Sequence, residues 1–417
     1  MTYVEFYDRT SVENVCAILT NVPERVVIVG EEQERIIKHI QHYKKVFSKR
    51  GHNIEFVDMV VNEWKIEEVV KVLTKILDAY GDCVFGCTGG DEVALVALGV
   101  LYERYRGKNV QIHRIGINDN RIYDCDNDGN TIERNAPKLS VEENIRIYGG
   151  DIFYGDITEE KTYLWNHTSE FYEDVNKIWS ICRKNVGAWN IQSRVFETIE
   201  NLGVVSENGL KTTTSKTAID KFYAKMKAQY VINQIIISKL LEKGLLTEFK
   251  DTDREVVIKY KNPQVKKILT KAGLALEMKI YVIAKQVKNA EKNKVYNDVL
   301  NGVVIDWDGD FPMSESGNWD TTNEIDVLLM HGMIPVFVSC KNGAVTVEEL
   351  YKLNTVAEQF GGIYSKKILV ATSLNRLGNG RQTFEQRAKD MGIAILSDIQ
   401  DMPDHVLADE VRRFWEI

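Results

Sequence analysis

The sequence lacks the features that mark membrane and secreted proteins. No apolar stretch approaches the ~20 residues that a transmembrane helix needs. The N-terminal segment MTYVEFYDRT has no basic stretch followed by an apolar run, so it lacks the pattern of a secretory signal. The six cysteines are scattered, and the pair Cys83 and Cys87 is followed by no second pair at zinc-binding spacing. We therefore expect a cytoplasmic protein with reduced thiols and no membrane partner.

The chain also lacks the two common glycine motifs for bound nucleotides. It contains neither the GxGxxG of dinucleotide-binding folds nor the GxxxxGK[ST] phosphate loop, which disfavours NAD and ATP as ligands. The net charge of −8 gives no general excess of positive charge for binding nucleic acid. The lysines are unevenly distributed, however, because residues 259–294 contain ten lysines and only two acids. This basic block is compatible with phosphate contact and, equally, with a solvated helix face.

Three regions differ in their pattern of apolar residues, which predicts an α/β protein of two or three domains. In residues 1–150, short apolar strands alternate with helical patterns, which predicts a parallel sheet with helices on both faces. Residues 151–263 have a mainly helical pattern, and residues 264–417 return to α/β, beginning with one predicted helix over residues 264–287. In the middle region, a predicted helix over residues 229–243 precedes a predicted hairpin over residues 246–260. This pair is compatible with a winged helix and, equally, with a helical connector that carries a surface hairpin.

Polar residues and glycines follow three of the predicted strands in the first region. Ligands bind at the carboxyl ends of strands in parallel α/β sheets, so these positions are candidates for a binding site. Glycines let a ligand approach the backbone closely, and the free amides at the start of a helix favour an anion. The carboxylate of the acid at position 91 interacts favourably with the helix dipole but repels an anion. A simple turn that binds no ligand therefore remains an alternative. The candidate ligand-binding residues are Asp8, Thr10, Ser11, Gly30, Thr88, Gly89, Gly90 and Asp91.

The segment over residues 323–341, NEIDVLLMHGMIPVFVSCK, carries the clearest chemical signal. It has the pattern of two apolar strands joined by a tight turn. Side chains two positions apart on a strand share a face, so Glu324 pairs with Asp326, and Ser339 with Lys341. A carboxylate pair and a lysine on adjacent strands are the groups that metal-assisted phosphodiester cleavage requires. Exposed strands carry the same residue types for solubility, so the hairpin alone leaves that second interpretation open.

Six short motifs carry a resemblance to a known family. VEFYD, PERVVIVG and CTGGDE lie in the first region, and LALEMKIYV, NEIDVLL and VSCKNG lie in the last. With these motifs the chain resembles the CRISPR-associated ancillary nucleases of type III systems. Those proteins join an N-terminal CARF sensor domain to a C-terminal PD-(D/E)xK domain of restriction-endonuclease type. Over most of the chain, the resemblance implies a Rossmann-like CARF domain (1–150), a helical or winged-helix-like connector (151–263) and a restriction-endonuclease-like α/β domain (264–417).

The resemblance implies a nuclease that a nucleotide switches on. Cyclic oligoadenylate, in particular cyclic tetra-adenylate, would bind across the two-fold axis of a homodimer and contact the strand-end residues named above. Binding would activate cleavage of DNA and/or RNA, with Mg²⁺ or Mn²⁺ as the metal, in type III CRISPR antiviral defence. The chain departs from the family pattern at Asp91 and Glu92, where many CARF domains have Thr-Lys.

The resemblance also implies roles for residues of the last region. Asp326 would bind the metal together with Glu277, an acid on the preceding helix, and the backbone carbonyl of Cys340. Lys341 would be the catalytic lysine. The family pattern places an acid two residues before this lysine, where this chain has Ser339, so one carboxylate is missing.

Several acids are candidates to replace the missing carboxylate, and the sequence does not choose between them. Glu277 and Glu324 are two, and Glu348 and Glu349 on the next predicted helix are the others. The alternative function is a ligand-regulated DNA-binding transcription factor in which the last domain is not catalytic. A small-molecule enzyme built on the first region is disfavoured, because no acid–base pair is found at its strand ends.

Overall fold

Three β-sheets organise the chain, which we describe from a computed structural model. The structure describes residues 1–8, 12–105, 110–125, 130–154, 161–309 and 322–417. Two of the predicted ligand-binding residues, Thr10 and Ser11, lie outside the described residues.

The first sheet contains seven strands: β1 (Thr2–Phe6), β2 (Arg25–Gly30), β3 (Glu55–Val60), β4 (Cys83–Gly86), β5 (Val110–Gly116), β6 (Arg121–Cys125) and β7 (Thr131–Asn135). Its order is β3-β2-β1-β4-β5-β6-β7. The five strands β3, β2, β1, β4 and β5 are parallel to one another, whereas β5, β6 and β7 pair antiparallel at one edge. The helices of this region are α1 (Val12–Asn21), α2 (Gln33–Lys49), α3 (Ile66–Tyr80), α4 (Glu92–Arg104) and α5 (Val141–Ile147).

The order of this sheet places the ends of β1, β2 and β4 side by side. The chain extends the sheet from β1 to one side through β2 and to the other through β4, which makes β1 a topological switch point. The apolar run of β2 is buried because helices cover both faces of the sheet, as is usual for parallel strands. The predicted parallel α/β arrangement is confirmed for this region.

The middle region forms a second, antiparallel sheet with short helices. Its elements are β8 (Asp151–Ile152), α6 (Ser169–Cys182), α7 (Val186–Leu202), β9 (Val204–Val205), β10 (Lys211–Ser215), α8 (Lys216–Lys225), α9 (Gln234–Glu242), β11 (Leu246–Asp251) and β12 (Glu255–Tyr260). The sheet has the order β11-β12-β10-β9, and β11 and β12 are the predicted hairpin. The helix predicted over 229–243 begins later, because Asn233 caps α9 by accepting from the amide of Ile236.

The last region contains the third sheet. Its elements are α10 (Pro263–Thr270), α11 (Leu274–Gln286), β13 (Asp298–Asp306), β14 (Thr322–His331), β15 (Ile334–Lys341), α12 (Val347–Gly361), β16 (Lys366–Ala371), α13 (Arg381–Asp390), β17 (Ile393–Leu396) and α14 (Asp404–Arg412). The six-stranded order is β17-β16-β15-β14-β13-β8. One long helix was predicted over residues 264–287, and this prediction was wrong. The helix is divided into α10 and α11 because Gly273 has a φ of 92°, outside the helical region.

Helices cover both faces of the third sheet. Helix α11 packs against β13, β14 and β15, and α12 packs against β15 and β16. The strand β8, which follows the first region in the chain, pairs with β13 at the edge of this sheet. An apolar cluster is continuous from Ile145 and Ile147 of α5 to Leu353 and Phe360 of α12, so the first and last regions pack directly together. The predicted domain boundaries at 150 and 263 stay predictions.

No helix in the described part of the chain combines the length and the apolar character that a membrane crossing requires.

Candidate functional site

The predicted acid–lysine pair lies at the open end of the β14–β15 hairpin. These strands pair antiparallel with Val327 opposite Val338, so that the next residues outward, Asp326 and Ser339, are neighbours. The ammonium nitrogen of Lys341 lies 3.7 Å from Oδ2 of Asp326. The sheet therefore brings the predicted metal-binding acid and the predicted catalytic lysine within reach of one phosphate group.

Three groups on β15 surround the Asp326 carboxylate. The backbone amide of Cys340 donates a hydrogen bond to Oδ2 at 2.6 Å, and the hydroxyl of Ser339 donates to the same oxygen at 3.3 Å. The third group is the Lys341 ammonium. The thiol of Cys340 is buried, and burial raises its pKa well above the usual value, so this residue offers the site its backbone rather than a thiolate.

Glu277 reaches the same end of the sheet from the first turn of α11. Its side chain is buried, and its Oε2 accepts from the side-chain amide of Asn301 at 3.4 Å. The same amide of Asn301 donates to the backbone carbonyl of Asp326 at 2.8 Å, while its oxygen accepts from the indole of Trp165 at 3.1 Å. Asn301 on β13 thus fixes the position of Glu277 relative to the strand that carries Asp326.

The buried Glu277 carboxyl group and the partly buried Asp326 carboxyl group are electrostatically linked. Burial, followed by the charge of Asp326, raises the pKa of Glu277 to about 8, although Lys271 opposes the shift. Burial also raises the pKa of Asp326, but Lys341 and the amide of Cys340 favour its charged form. We infer that the pair holds one proton at neutral pH and that Glu277 carries it, because Asp326 has the better partners.

A bound divalent cation would take the place of that proton. Among the described residues, no group of three or more His, Cys, Asp or Glu side chains is arranged to hold a metal ion. Mg²⁺ commonly takes one or two protein carboxylates and completes its shell with water and substrate phosphate oxygens. The pair formed by buried Glu277 and partly buried Asp326 fits that requirement, since two neighbouring acids favour a cation between them. The role of the Cys340 carbonyl stays a prediction.

Glu324 has a partner of its own. Its Oε1 lies 2.8 Å from the ammonium of Lys271, which follows α10, and both side chains are partly exposed. Glu324 shares a strand face with Asp326, as predicted, but the ion pair neutralises its charge. Of the four acids that could replace the missing carboxylate, Glu324 therefore contributes little free negative charge.

Glu349, on the first turn of α12, contacts the predicted catalytic lysine directly. Its Oε2 lies 2.8 Å from the Lys341 ammonium, which is closer than the carboxylate of Asp326. The neighbouring Glu348 is exposed and makes no ion pair with this lysine among the described contacts. A cavity of 60 Å³ lies between α12 and the strand ends, and Asp326, Lys341 and Glu349 line it.

The ligand-binding residues predicted in the first region also come together where they are described. A Cβ added at Gly89 would lie 3.5 Å from the Cβ of Asp8, and one at Gly30 would lie 2.9 Å from the Cβ of Tyr7. Gly90 has a φ of 96° and lies against Phe6. The ends of β1, β2 and β4 therefore converge through close backbone contacts, as the topological switch point requires.

Two of these predicted residues have structural contacts already. The hydroxyl of Thr88 accepts from the amide of Ile115 at 3.0 Å, and Oδ1 of Asp91 accepts from the amide of Val93 at 2.7 Å, capping α4. A cavity of 150 Å³ beside Asp91 is lined by the ends of β1 and β2 and by the start of α2. The negative charge of Asp91 is directed to the helix start, which reduces its conflict with an anionic ligand.

The basic block over residues 259–294 has neither of the two predicted roles in full. Many of its lysines make internal contacts instead of forming a solvated face or a free phosphate-binding surface. Lys261 pairs with Asp174 at 2.7 Å, Lys266 with Glu200 at 2.6 Å, and Lys279 is buried beside Asp404. The acidic partners of these lysines lie outside the block, so a count of charges within the block does not include them. This explains the difference.

Sequence reasoning missed two further residues of the site. Asn301 is a polar residue in the apolar strand DVLNGVVID, and its burial is the signal that could have identified it. Lys271 was counted only as part of the basic block, although it neutralises Glu324 and lowers the pKa of Glu277. Both residues act on the carboxylates rather than on a substrate.

Comparison with solved structures reveals the same fold over the whole length of two proteins. Protein VC1899 from Vibrio cholerae superposes with a TM-score of 0.72 at 15% identity, covering 100% of this chain and 98% of that one. Can2 from Sulfobacillus thermosulfidooxidans, solved in complex with cyclic tetra-adenylate, superposes with a TM-score of 0.65 at 16% identity, covering 98% and 99%. No protein-family model and no curated protein matches the sequence. The chain therefore has the mixed α/β fold, with several sheets, of these two structures.

Proposed function

We propose that this protein is a metal-dependent nuclease that cyclic oligoadenylate activates in type III CRISPR defence. The observation that carries the proposal is the convergence of the Asp326 carboxylate, the Lys341 ammonium at 3.7 Å and the buried Glu277 at one sheet end. The regulatory part is supported by the shared fold with Can2, whose structure contains cyclic tetra-adenylate. We further propose that the three regions are a CARF domain (1–150), a winged-helix-like connector (151–263) and a PD-(D/E)xK domain (264–417).

The residues of the last region would divide the work of phosphodiester cleavage. Asp326 and Glu277 would hold Mg²⁺ or Mn²⁺, with Glu277 giving up its proton when the cation binds. The bound cation would supply an activated water and neutralise the leaving oxygen. Lys341 would neutralise the charge that develops on the phosphate, because its ammonium is half-buried and lies beside the acid. Ser339 would hold the Asp326 carboxylate in place through its hydroxyl.

The first region would bind the activator at the strand ends. Cyclic oligoadenylate is a symmetric polyanion, which suits two equal pockets in a homodimer. Gly30, Gly89 and Gly90 would let its backbone approach the chain closely. Asp8, Thr88 and Asp91 border the same place, and Thr10 and Ser11 of the predicted set remain proposals from the sequence.

A cleavage assay tests the proposal. Purified protein is incubated with Mn²⁺, with and without cyclic tetra-adenylate, and with plasmid DNA, single-stranded DNA or single-stranded RNA. We expect cleavage that depends on both additions, and we expect Asp326→Ala to abolish it while activator binding persists. Asp390→Ala on α13 is the matched control, since this exposed carboxylate accepts a hydrogen bond from Gln386 one turn earlier. Intact substrates under every condition would contradict the proposal.

A DNA-binding protein without cleavage is the second candidate, and the middle region is the place to look for it. Its arrangement of α7, α8, α9 and the β11–β12 hairpin has the element order of a winged helix. Some of its basic side chains are paired with acids, however: Lys216 with Asp251, Lys239 with Glu242 and Lys250 with Glu248. Retarded duplex DNA without strand breaks, unaffected by Asp326→Ala, would favour this candidate.

A further inference from the structure

Helix α12 contacts the proposed catalytic site at one end and the first region at the other. At its first turn, Oε2 of Glu349 lies 2.8 Å from the ammonium of Lys341, whereas Oδ2 of Asp326 lies 3.7 Å from it. The first contact is a short, charge-assisted interaction, and the second is beyond hydrogen-bond distance. In this arrangement Lys341 is therefore held by Glu349 of α12. It is not held by Asp326, the acid beside which the substrate phosphate would bind.

The other end of α12 is held by the first region. The side-chain amide of Asn144 on α5 is fully buried and donates to the backbone carbonyl of Phe360 at 2.7 Å. Directly after the helix, the backbone at Gly362 lies against the hydroxyl of Tyr148. Buried polar contacts of this kind are costly to break, so the end of α12 is fixed to α5.

A second contact connects this end with the proposed activator pocket. Tyr364, three residues past the end of α12, makes a side-chain hydrogen bond with Glu13 on α1. Glu13 is buried in the first turn of α1, beside Asn14, whose Oδ1 would lie 3.3 Å from a Cβ on Gly89. The start of α1 therefore contacts both the proposed pocket and the segment that ends α12.

The helix between these contacts is suited to act as a rigid link. It has 15 residues, which corresponds to a length of about 22 Å, and its inner face is buried through Leu350, Leu353 and Val356. Packed helices shift as units between discrete arrangements instead of deforming continuously. A shift at the Tyr364 end would consequently move Glu349 relative to the strand that carries Lys341.

We propose that α12 couples the activator pocket to the catalytic site and that Glu349 is a positioning residue that restrains Lys341 in the resting protein. This inference rests on the proposed function and specifies how that function is regulated. Movement of the first turn of α1 around the activator would shift α12 through Tyr364 and separate Glu349 from Lys341. The released ammonium would then be available to the phosphate beside Asp326. The activator acts here only through its different affinities for the two helix positions.

Cleavage rates of three variants test this coupling, with the full chain, Mn²⁺ and the substrate that the wild type cleaves. Glu349→Gln removes the restraint, so we expect the rate without cyclic tetra-adenylate to rise about fivefold or more. Tyr364→Phe breaks the contact with Glu13, so we expect the activated rate to fall by about the same factor while the resting rate stays unchanged. Glu358→Gln, the same substitution at an exposed position of α12, is expected to keep both wild-type rates.

A loss of folding would lower both rates together and cannot raise the resting rate, so the Glu349→Gln result separates restraint from damage. Glu349→Asp keeps the charge and should restore part of the restraint. Unchanged resting and activated rates in both Glu349→Gln and Tyr364→Phe would overturn the coupling, and so would an equal loss of both rates in Glu349→Gln.

Hydrogen–deuterium exchange gives a readout that does not depend on cleavage. Addition of cyclic tetra-adenylate should change amide exchange across residues 347–361 in the wild type and much less in Tyr364→Phe. A wild type that binds the activator, changes exchange in α12 and cleaves nothing would contradict the proposed function alone. A wild type that cleaves on activation with no change in α12 would contradict the coupling alone.

Discussion

The two candidate sites of this protein are built in opposite ways. The strand ends of the first region present mainly backbone atoms to a ligand. Gly30, Gly89 and Gly90 have no side chains at the point where three strands converge. The strand ends of the last region offer side-chain carboxyl groups, buried Glu277 and partly buried Asp326, beside the ammonium of Lys341. Backbone groups suit the recognition of a large polyanion, whereas buried carboxylates suit a small divalent cation. The proposed binding site and the proposed catalytic site therefore lie in separate regions of the chain.

Buried titratable side chains also give the two regions opposite responses of stability to pH. In the first region burial lowers the pKa of His39 to about 4, because the charged imidazole is poorly solvated. In the last region burial and Asp326 raise the pKa of Glu277 to about 8. Neutral His39 stabilises the folded chain at higher pH, while protonated Glu277 stabilises it at lower pH.

The largest expected effect is on the chemistry of the last region. Lys341→Ala removes the ammonium beside Asp326, so we expect cleavage to fall by about 10³-fold, in line with the loss of one group that stabilises a transition state. Affinity for cyclic tetra-adenylate, measured by calorimetry, should stay unchanged if the two sites are separate. Lys389→Ala, which removes an exposed lysine of α13 away from this cavity, serves as the control. A parallel loss of activator affinity would contradict the separation of the two sites.

The next effect concerns stability and comes from the first region. The unfolded pKa of histidine is about 6.5 and the folded pKa of His39 is about 4, so folding is increasingly opposed as the pH falls between these values. We expect the free energy of unfolding at pH 4 to be lower than at pH 7 by about 3 kcal/mol from this residue alone. His39→Gln should remove that part of the difference in denaturant titrations. An identical pH dependence in the variant would contradict a buried neutral imidazole.

The third prediction concerns the pH dependence of metal binding at the proposed site of the last region. Glu277 must lose a proton for a cation to bind, and its pKa is raised to about 8. Mn²⁺ affinity should therefore increase by up to about tenfold per pH unit between pH 6 and pH 8 and level off above pH 8. Calorimetry in two buffers with different ionisation enthalpies should record the release of a proton. Glu277→Gln should bind Mn²⁺ weakly and with little pH dependence; a variant that keeps the wild-type profile would assign the proton elsewhere.

The smallest effect tests the backbone character of the first site. Gly89→Val places branched carbon atoms where even a Cβ lies 3.3 Å from the side chain of Asn14, so we expect affinity for cyclic tetra-adenylate to fall about tenfold, the factor that corresponds to about 1.4 kcal/mol. Mn²⁺ binding should be unaffected. Gly99→Ala is the control, because a Cβ on this helical glycine meets nothing within 4 Å. Equal losses in both variants would point to a general effect on folding.

Much of the fold could be predicted from the sequence because apolar runs and helical periods are local signals. The strands β1, β2 and β4 and the hairpin of β14 and β15 have apolar runs that are typical of buried strands. Strand β10, KTTTS, was missed because its inward residues Thr212 and Thr214 are polar, and their hydroxyls bind Glu200 and the backbone of Ile199. A polar strand of this kind is recognisable only once its partners are known.

The site was predictable to the extent that it depends on strand register. Alternation along β14 and β15 predicts which side chains share a strand face, and the pairing of these adjacent strands brings Asp326 near Lys341. The contact of Glu349 with Lys341 and the bridge through Asn301 join elements that are distant in the chain, so only the packing of α12 and α11 reveals them. Sequence reasoning left four acids open, and the contact geometry pairs Glu324 with Lys271 and Glu349 with Lys341.

The most direct test of the central claim is the position of Mn²⁺ from anomalous diffraction of crystals grown with Mn²⁺ and cyclic tetra-adenylate. The account predicts an anomalous peak coordinated by the carboxylates of Asp326 and Glu277, with Lys341 beside it. A peak coordinated by other residues, in crystals of protein that cleaves nucleic acid, would contradict the assignment of this sheet end as the catalytic site.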